Sequence, residues 1–181
     1  MAENSMKKIV FVIALLAPAL ALAEAPYAGT QSRPIKALSD QQVSDLRAGR
    51  GMGLALAADL NGYPGPSHVL EFADQLELSA EQRSRVQEMF AAMKSETTPI
   101  GNRLIDEESN LDRQFAIRTV SPESLKSATA AISKTQGELR EAHLKYHLVT
   151  TALLDNDQLE KYAGLRGYTN KTPAQQHHHH R

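Results

Sequence analysis

The stretch that decides the fold runs from Leu78 to Arg118 and reads LSAEQRSRVQEMFAAMKSETTPIGNRLIDEESNLDRQFAIR. Val86, Phe90, Met93, Thr97, Ile100, Leu104, Leu111 and Phe115 recur in it at steps of three and four, with Glu107 and Glu108 filling one gap in the stripe. That period is one face of an α-helix, and no strict apolar/polar alternation elsewhere in the chain competes with it. At 1.5 Å per residue, a helix from Ala80 to about Arg118 is about 58 Å long. Pro99 lies inside it, but the stripe keeps phase across the proline, so a kink is expected rather than a stop. A second stripe follows: Leu125, Ala128, Ile132, Thr135, Leu139, Ala142, Tyr146, Val149 and Leu153. Only Thr119–Ser121 separate the two, so the helices must run antiparallel as a hairpin.

Working outward, the helix starts are written in capping residues. Leu38-Ser39-Asp40-Gln41-Gln42, Leu78-Ser79-Ala80-Glu81-Gln82 and Leu154-Asp155-Asn156-Asp157-Gln158 each place Ser or Asp three residues before Gln. The side-chain oxygen at the N-cap accepts from the N3 amide, and Gln at N3 reaches back to the N-cap amide. Val120-Ser121-Pro122 is a fourth start, with Pro at the first helical position, where its missing N–H costs nothing. Short helices are predicted at about 39–49, 53–60, 66–76 and 156–165. The expected fold class is all-α: a long, kinked antiparallel hairpin with short flanking helices.

Composition narrows the chemistry. The chain has 181 residues, 41% of them apolar and 5% aromatic, with 20 Lys and Arg against 21 Asp and Glu. A formal net charge of −1 provides no basic field for nucleic acid. The absence of Cys removes disulfides, thiolate zinc sites, iron–sulfur clusters and Cys nucleophiles together. Any transition metal must be held by His, Met and carboxylates. Neither Gly51-Met52-Gly53 nor Asn61-Gly62-Tyr63-Pro64-Gly65-Pro66 resembles a phosphate loop, and both are read as tight connections. No nucleophile elbow or Ser/His/Asp set is present either, so an enzyme is not expected.

The termini read as addresses and additions. Met6-Lys7-Lys8, the apolar run Ile9–Leu22 and the small residues Ala21-Leu22-Ala23 have the form of a cleavable signal peptide over residues 1–23. Export to a bacterial periplasm follows, with residues 24–168 as a single helical domain. The polar tail 169–181 ends in His177-His178-His179-His180-Arg181, either a shortened purification tag or a metal-collecting tail.

The Leu-Ser-x-x-Gln and Leu-Asp-x-x-Gln boxes at Leu78–Gln82 and Leu154–Gln158 bracket the hairpin and resemble the LTxxQ repeats of the Spy/CpxP family. The resemblance covers residues 66–165. It implies a helical hairpin, a periplasmic setting, and either chaperone activity in the envelope stress response or heavy-metal binding and sensing, as in the ZraP and CnrX types. Asp155 stands where the family has Ser or Thr, and residues 27–65 form an extension that the small chaperones lack. The ligand pattern of the CnrX type does not align here, and no metal ligand is carried over from it.

Outside the tail there are three His. His143 and His147, four residues apart on one helix, can chelate one ion. In a hairpin turning near residue 120, His147 falls opposite Met93, and the turn at Leu78 places His68 near the level of Met89. His68, His143, His147, Met93 and Met89 are therefore expected within about two helical turns of one another. A His/Met set favours Cu, with Zn, Ni or Co as alternatives. Met52 and Asp59 are further candidates to reach the cluster. The structural alternative makes Met89 and Met93 gap-filling core residues and the His pair a polar edge of the hairpin. Two functions follow: a metal-binding or metal-sensing protein acting with an envelope sensor, or an ATP-independent chaperone cradling unfolded clients. A homodimer is expected, because a lone hairpin leaves one apolar face bare unless the N-terminal helices cover it.

Overall fold

The computed structural model describes residues 27–168; the expected signal peptide and the His run lie outside the described residues. Residues up to Gln31 form a unit of their own. Its described part is a tight turn in which the Thr30 backbone N–H and hydroxyl donate to the Tyr27 carbonyl at 3.1 and 2.8 Å. From Ser32 onward the described residues form one compact unit. It contains α1 (Asp40–Arg47), α2 (Leu56–Asp59), α3 (Pro66–Glu71), α4 (Ala80–Ala116), α5 (Pro122–Leu153) and α6 (Asn156–Leu165), with no strand among the described residues. The fold is all-α, with α4 and α5 as its packed antiparallel hairpin.

Each of the four capped starts is realised. Ser39 with Gln42, Ser79 with Gln82, Ser121 with Ser124 and Asp155 with Gln158 close reciprocal capping boxes. α4 runs unbroken through Pro99, which stands on its exposed side, so one missing backbone bond does not end the helix. The three N-terminal helices are shorter than their apolar spacing predicts. Gly49, Met52 and Gly53 all adopt positive φ (63°, 45° and 81°), which holds the chain in turns until Leu56. Glu77, at φ 53°, similarly closes the turn that follows α3.

The N-terminal helices pack on the hairpin. α1 approaches α4 so closely that a Cβ on Gly101 would lie 2.5 Å from the Leu46 carbonyl oxygen; only glycine admits that contact. Two apolar clusters form. One, at the open end of the hairpin, holds Val69, Leu76, Val86, Leu154 and Tyr162. The other, towards its turn, holds Ile35, Leu46, Leu104, Ile132 and Leu139. Along α4 and α5 the buried residues between these clusters include four polar ones, Thr97, His143, His147 and Thr150, beside Met93 and Ala142.

The two LTxxQ-like boxes meet. Gln82 Nε2 donates to Gln158 Oε1 at 2.9 Å, and Gln158 Nε2 donates back to Gln82 Oε1 at 3.0 Å. The same amides reach the Leu153 and Leu76 carbonyls, at 3.1 and 3.3 Å. The residues that start α4 and α6 thus also tie those starts to each other.

Candidate metal centre

A cavity of about 210 Å³ opens where the polar layer meets the N-terminal connections, lined by His68, Met93, His143 and His147 together with Met52 and Asp59. α5 supplies the first two ligand candidates. His143 and His147 are 2% and 7% exposed, one turn apart on the face that α5 turns towards α4. α4 brings Met93, and α3 brings His68, placed by Pro66 at its first position.

His147 has a defined tautomer. Its Nδ1 lies 2.6 Å from the Tyr63 carbonyl oxygen. A carbonyl only accepts, so Nδ1 carries the hydrogen and Nε2 keeps a free lone pair. A backbone carbonyl on the distal nitrogen is the support that metal-bound histidines usually have. The Gly-Pro connection makes this contact possible, for a Cβ on Gly65 would lie 2.6 Å from His147 Nε2. Gly51 covers the other imidazole, with its would-be Cβ 3.5 Å from His143 Nδ1.

Two ring nitrogens are buried with no hydrogen-bond partner: His143 Nε2 and His68 Nδ1. Burial, and secondarily the neighbouring His147, push the His143 pKa down. Burial likewise lowers that of His147, against the opposing pull of the Tyr63 carbonyl and Asp59. Both imidazoles are therefore neutral at pH 7, the form in which a nitrogen can ligate.

Asp59, 4% exposed, closes one side of the cavity. It accepts from Tyr162 Oη at 2.6 Å, Tyr168 Oη at 2.7 Å and Arg166 at 3.3 Å. Its Oδ1 lies 3.7 Å from His68 Nδ1, beyond hydrogen-bond length. Burial raises the Asp59 pKa, but the two tyrosine hydroxyls, with the charges of His68 and Arg166, outweigh it and hold the carboxyl below its ordinary value. Those tyrosines and Arg166 lie in or beyond α6, and no sequence spacing links them to Asp59.

Of the five residues expected to converge, four line the cavity and Met89 does not. Met89 packs beside Thr150, whose hydroxyl points at its sulfur at 3.8 Å. Met52 and Asp59 both reach the cavity wall. Among the described residues, no three His, Asp or Glu side chains form a cluster that could hold a metal ion as they stand. No helix of the described residues is long and apolar enough to cross a membrane. Comparisons with known protein families, with characterised proteins and with solved structures find no match for this chain.

Proposed function

We propose that this chain is an exported transition-metal-binding protein whose ion is held by His68, His143 and His147, with Met93 as the soft ligand. The observation that carries this reading is the pair of buried ring nitrogens without partners in a cavity walled by three imidazoles. Buried polar atoms ordinarily find partners, and an orphan in a polar cavity has a bound ion as one of its few explanations. A thioether beside neutral imidazoles favours copper over harder ions. Met89 serves packing. Binding draws α3 and its His68 towards α5, so the ion clamps the N-terminal connection onto the hairpin, and that ordering is the sequestering or signalling step. The signal-peptide form of residues 1–23 and the resemblance of the paired capping boxes to a periplasmic family support the setting.

The test is metal content. The full chain with His177, His178, His179 and His180 changed to Ser is loaded with Cu or Zn and dialysed. It should retain about one equivalent, and a His143→Ala/His147→Ala variant should retain none. No retained metal in the parent removes the reading. A chaperone reading would then lead, favoured by Leu148 and Val149, which stand side by side and exposed on α5. In that case the chain should suppress light scattering from an aggregating client at stoichiometric ratio.

A further inference from the structure

The hairpin turn lies far from the cavity: Ile117 is more than twenty residues along α4 from Met93, or over about 30 Å. Here Phe115, Ile117 and Leu125 are 54%, 62% and 38% exposed. Five successive residues, Phe115 to Thr119, are all exposed, so the turn projects from the bundle. Cations surround it: Arg113, Arg118 and Lys126 are exposed, and none of the three is in an ion pair among the described residues. The nearby carboxylates are Asp112, paired with Lys36 at 3.2 Å, and Glu123, which accepts from the Ser121 hydroxyl at 3.0 Å.

Backbone geometry also marks Arg118, one of three non-glycine residues at positive φ among the described residues, with Met52 and Glu77. α4 ends in a Schellman turn, with the Arg118 N–H donating to the Phe115 carbonyl at 3.1 Å and the Thr119 N–H to that of Gln114 at 3.0 Å. The residue at this left-handed position is usually glycine, yet Arg118 occupies it at φ 56°. A strained backbone that presents an unpaired cation at the apex of an apolar projection is the kind of outlier from which function is inferred.

We propose that the hairpin turn docks on an anionic phospholipid bilayer, with Phe115, Ile117 and Leu125 entering the headgroup region and Arg113, Arg118 and Lys126 meeting lipid phosphates. The three apolar side chains present roughly 300 Å² of surface, well short of the roughly 800 Å² per partner that a stable protein interface buries. A small projecting apolar tip ringed by cations matches what an anionic membrane surface recruits. The chain also enters the bundle at this end, because the Lys36 N–H and ammonium both bond to Asp112, about 8 Å along the helix from Ile117.

The chain has no Trp, so Ile117→Trp places a single tryptophan at the turn of the full chain. Its emission should shift to the blue on vesicles of equal phosphatidylglycerol and phosphatidylcholine, with at least tenfold weaker binding to phosphatidylcholine alone. Bromine on the lipid acyl chains should quench it. Adding Arg118→Gly should weaken that binding about fivefold, the share of one cation at such a surface, while leaving Tm unchanged or higher. A spectrum unmoved by anionic vesicles overturns the proposal, as does equal binding to both vesicle types. A blue shift that tracks protein concentration without lipid also overturns it, since a second copy then covers the turn.

Discussion

Gly65→Ala probes the link between the Gly-Pro connection and the His147 imidazole. The backbone of Gly65 is extended, at φ −87° and ψ 157°, so alanine carries no conformational penalty and the whole effect is steric. The added Cβ would stand 2.6 Å from His147 Nε2 and 2.8 Å from Cε1, where ordinary contact begins at 3.4 Å. The imidazole must yield by most of an ångström, yet it is 7% exposed and tied to the Tyr63 carbonyl at 2.6 Å. Overpacking at such a site costs about 1–3 kcal/mol, and the weakened hydrogen bond about 1 kcal/mol more. For a domain of this size, that lowers Tm by about 5–10 °C in a thermal melt followed by circular dichroism. Loss of the carbonyl support should reduce Cu or Zn affinity by about 10- to 100-fold in a competition titration. Gly137→Ala is the matched control: it lies in α5 with nothing near its would-be Cβ, and the same change there should raise Tm. If Gly65→Ala melts within 1 °C of the parent and binds metal within twofold, the close approach of this turn to His147 is refuted.

Two further predictions concern stability alone. Gln158→Ala removes a buried amide whose loss strands the Leu76 carbonyl, the Gln82 amide and the Asp155 cap, and should cost about 2–3 kcal/mol in urea unfolding. In a double-mutant cycle, Gln82→Ala and Gln158→Ala should fall well short of additive, because each breaks the same reciprocal pair. Glu108 has its pKa raised, first by burial and then by neighbouring Glu107. A raised folded pKa means that the stability of the protonated form is fully present below the unfolded value of 4.5 and is lost as pH rises through the folded one. Glu108→Gln should therefore melt higher than the parent at pH 7, and the gap should close as pH falls towards 4. A gap that widens on acidification would show that Glu108 is stabilised as the anion.

The all-α hairpin was legible because every signal for it is local. The three- and four-residue steps, the three capping boxes, the Ser121-Pro122 start and a three-residue link each act within one turn of chain, and together they leave one topology. The approach of His143 and His147 to Met93 was legible for the same reason, since an antiparallel hairpin with a known turn fixes which residues share a level. What local pattern does not carry is the path of the chain before α4. Positive φ at Met52 falls on no glycine and leaves no mark in the apolar spacing, so α2 starts later than that spacing predicts, and α3 gives way to turns after Glu71. Asp59 illustrates the same limit: its partners Tyr162, Arg166 and Tyr168 lie more than a hundred residues away and obey no period. Met89 shows a narrower limit: a residue's level on α4 can be read from the hairpin, but the turn of a flexible thioether towards Thr150 cannot.

The polar layer between the two apolar clusters provides the sharpest test of what the histidines are for. A residue kept only for stability should be the best choice for its surroundings, and His143 is not: its Nε2 is buried without a partner between flanking core clusters. Leaving a donor or acceptor buried and unsatisfied costs about 1–3 kcal/mol, which an apolar side chain of similar size does not incur. His143→Leu should therefore raise Tm in the presence of a chelator by several degrees while abolishing retention of Cu and Zn. A stable variant that has lost its metal is the signature of a side chain retained against stability for the sake of a ligand, the usual place where folding rules and function diverge. If His143→Leu instead melts several degrees lower, the imidazole has a structural partner in solution, and the case for a metal ion in this cavity falls with it.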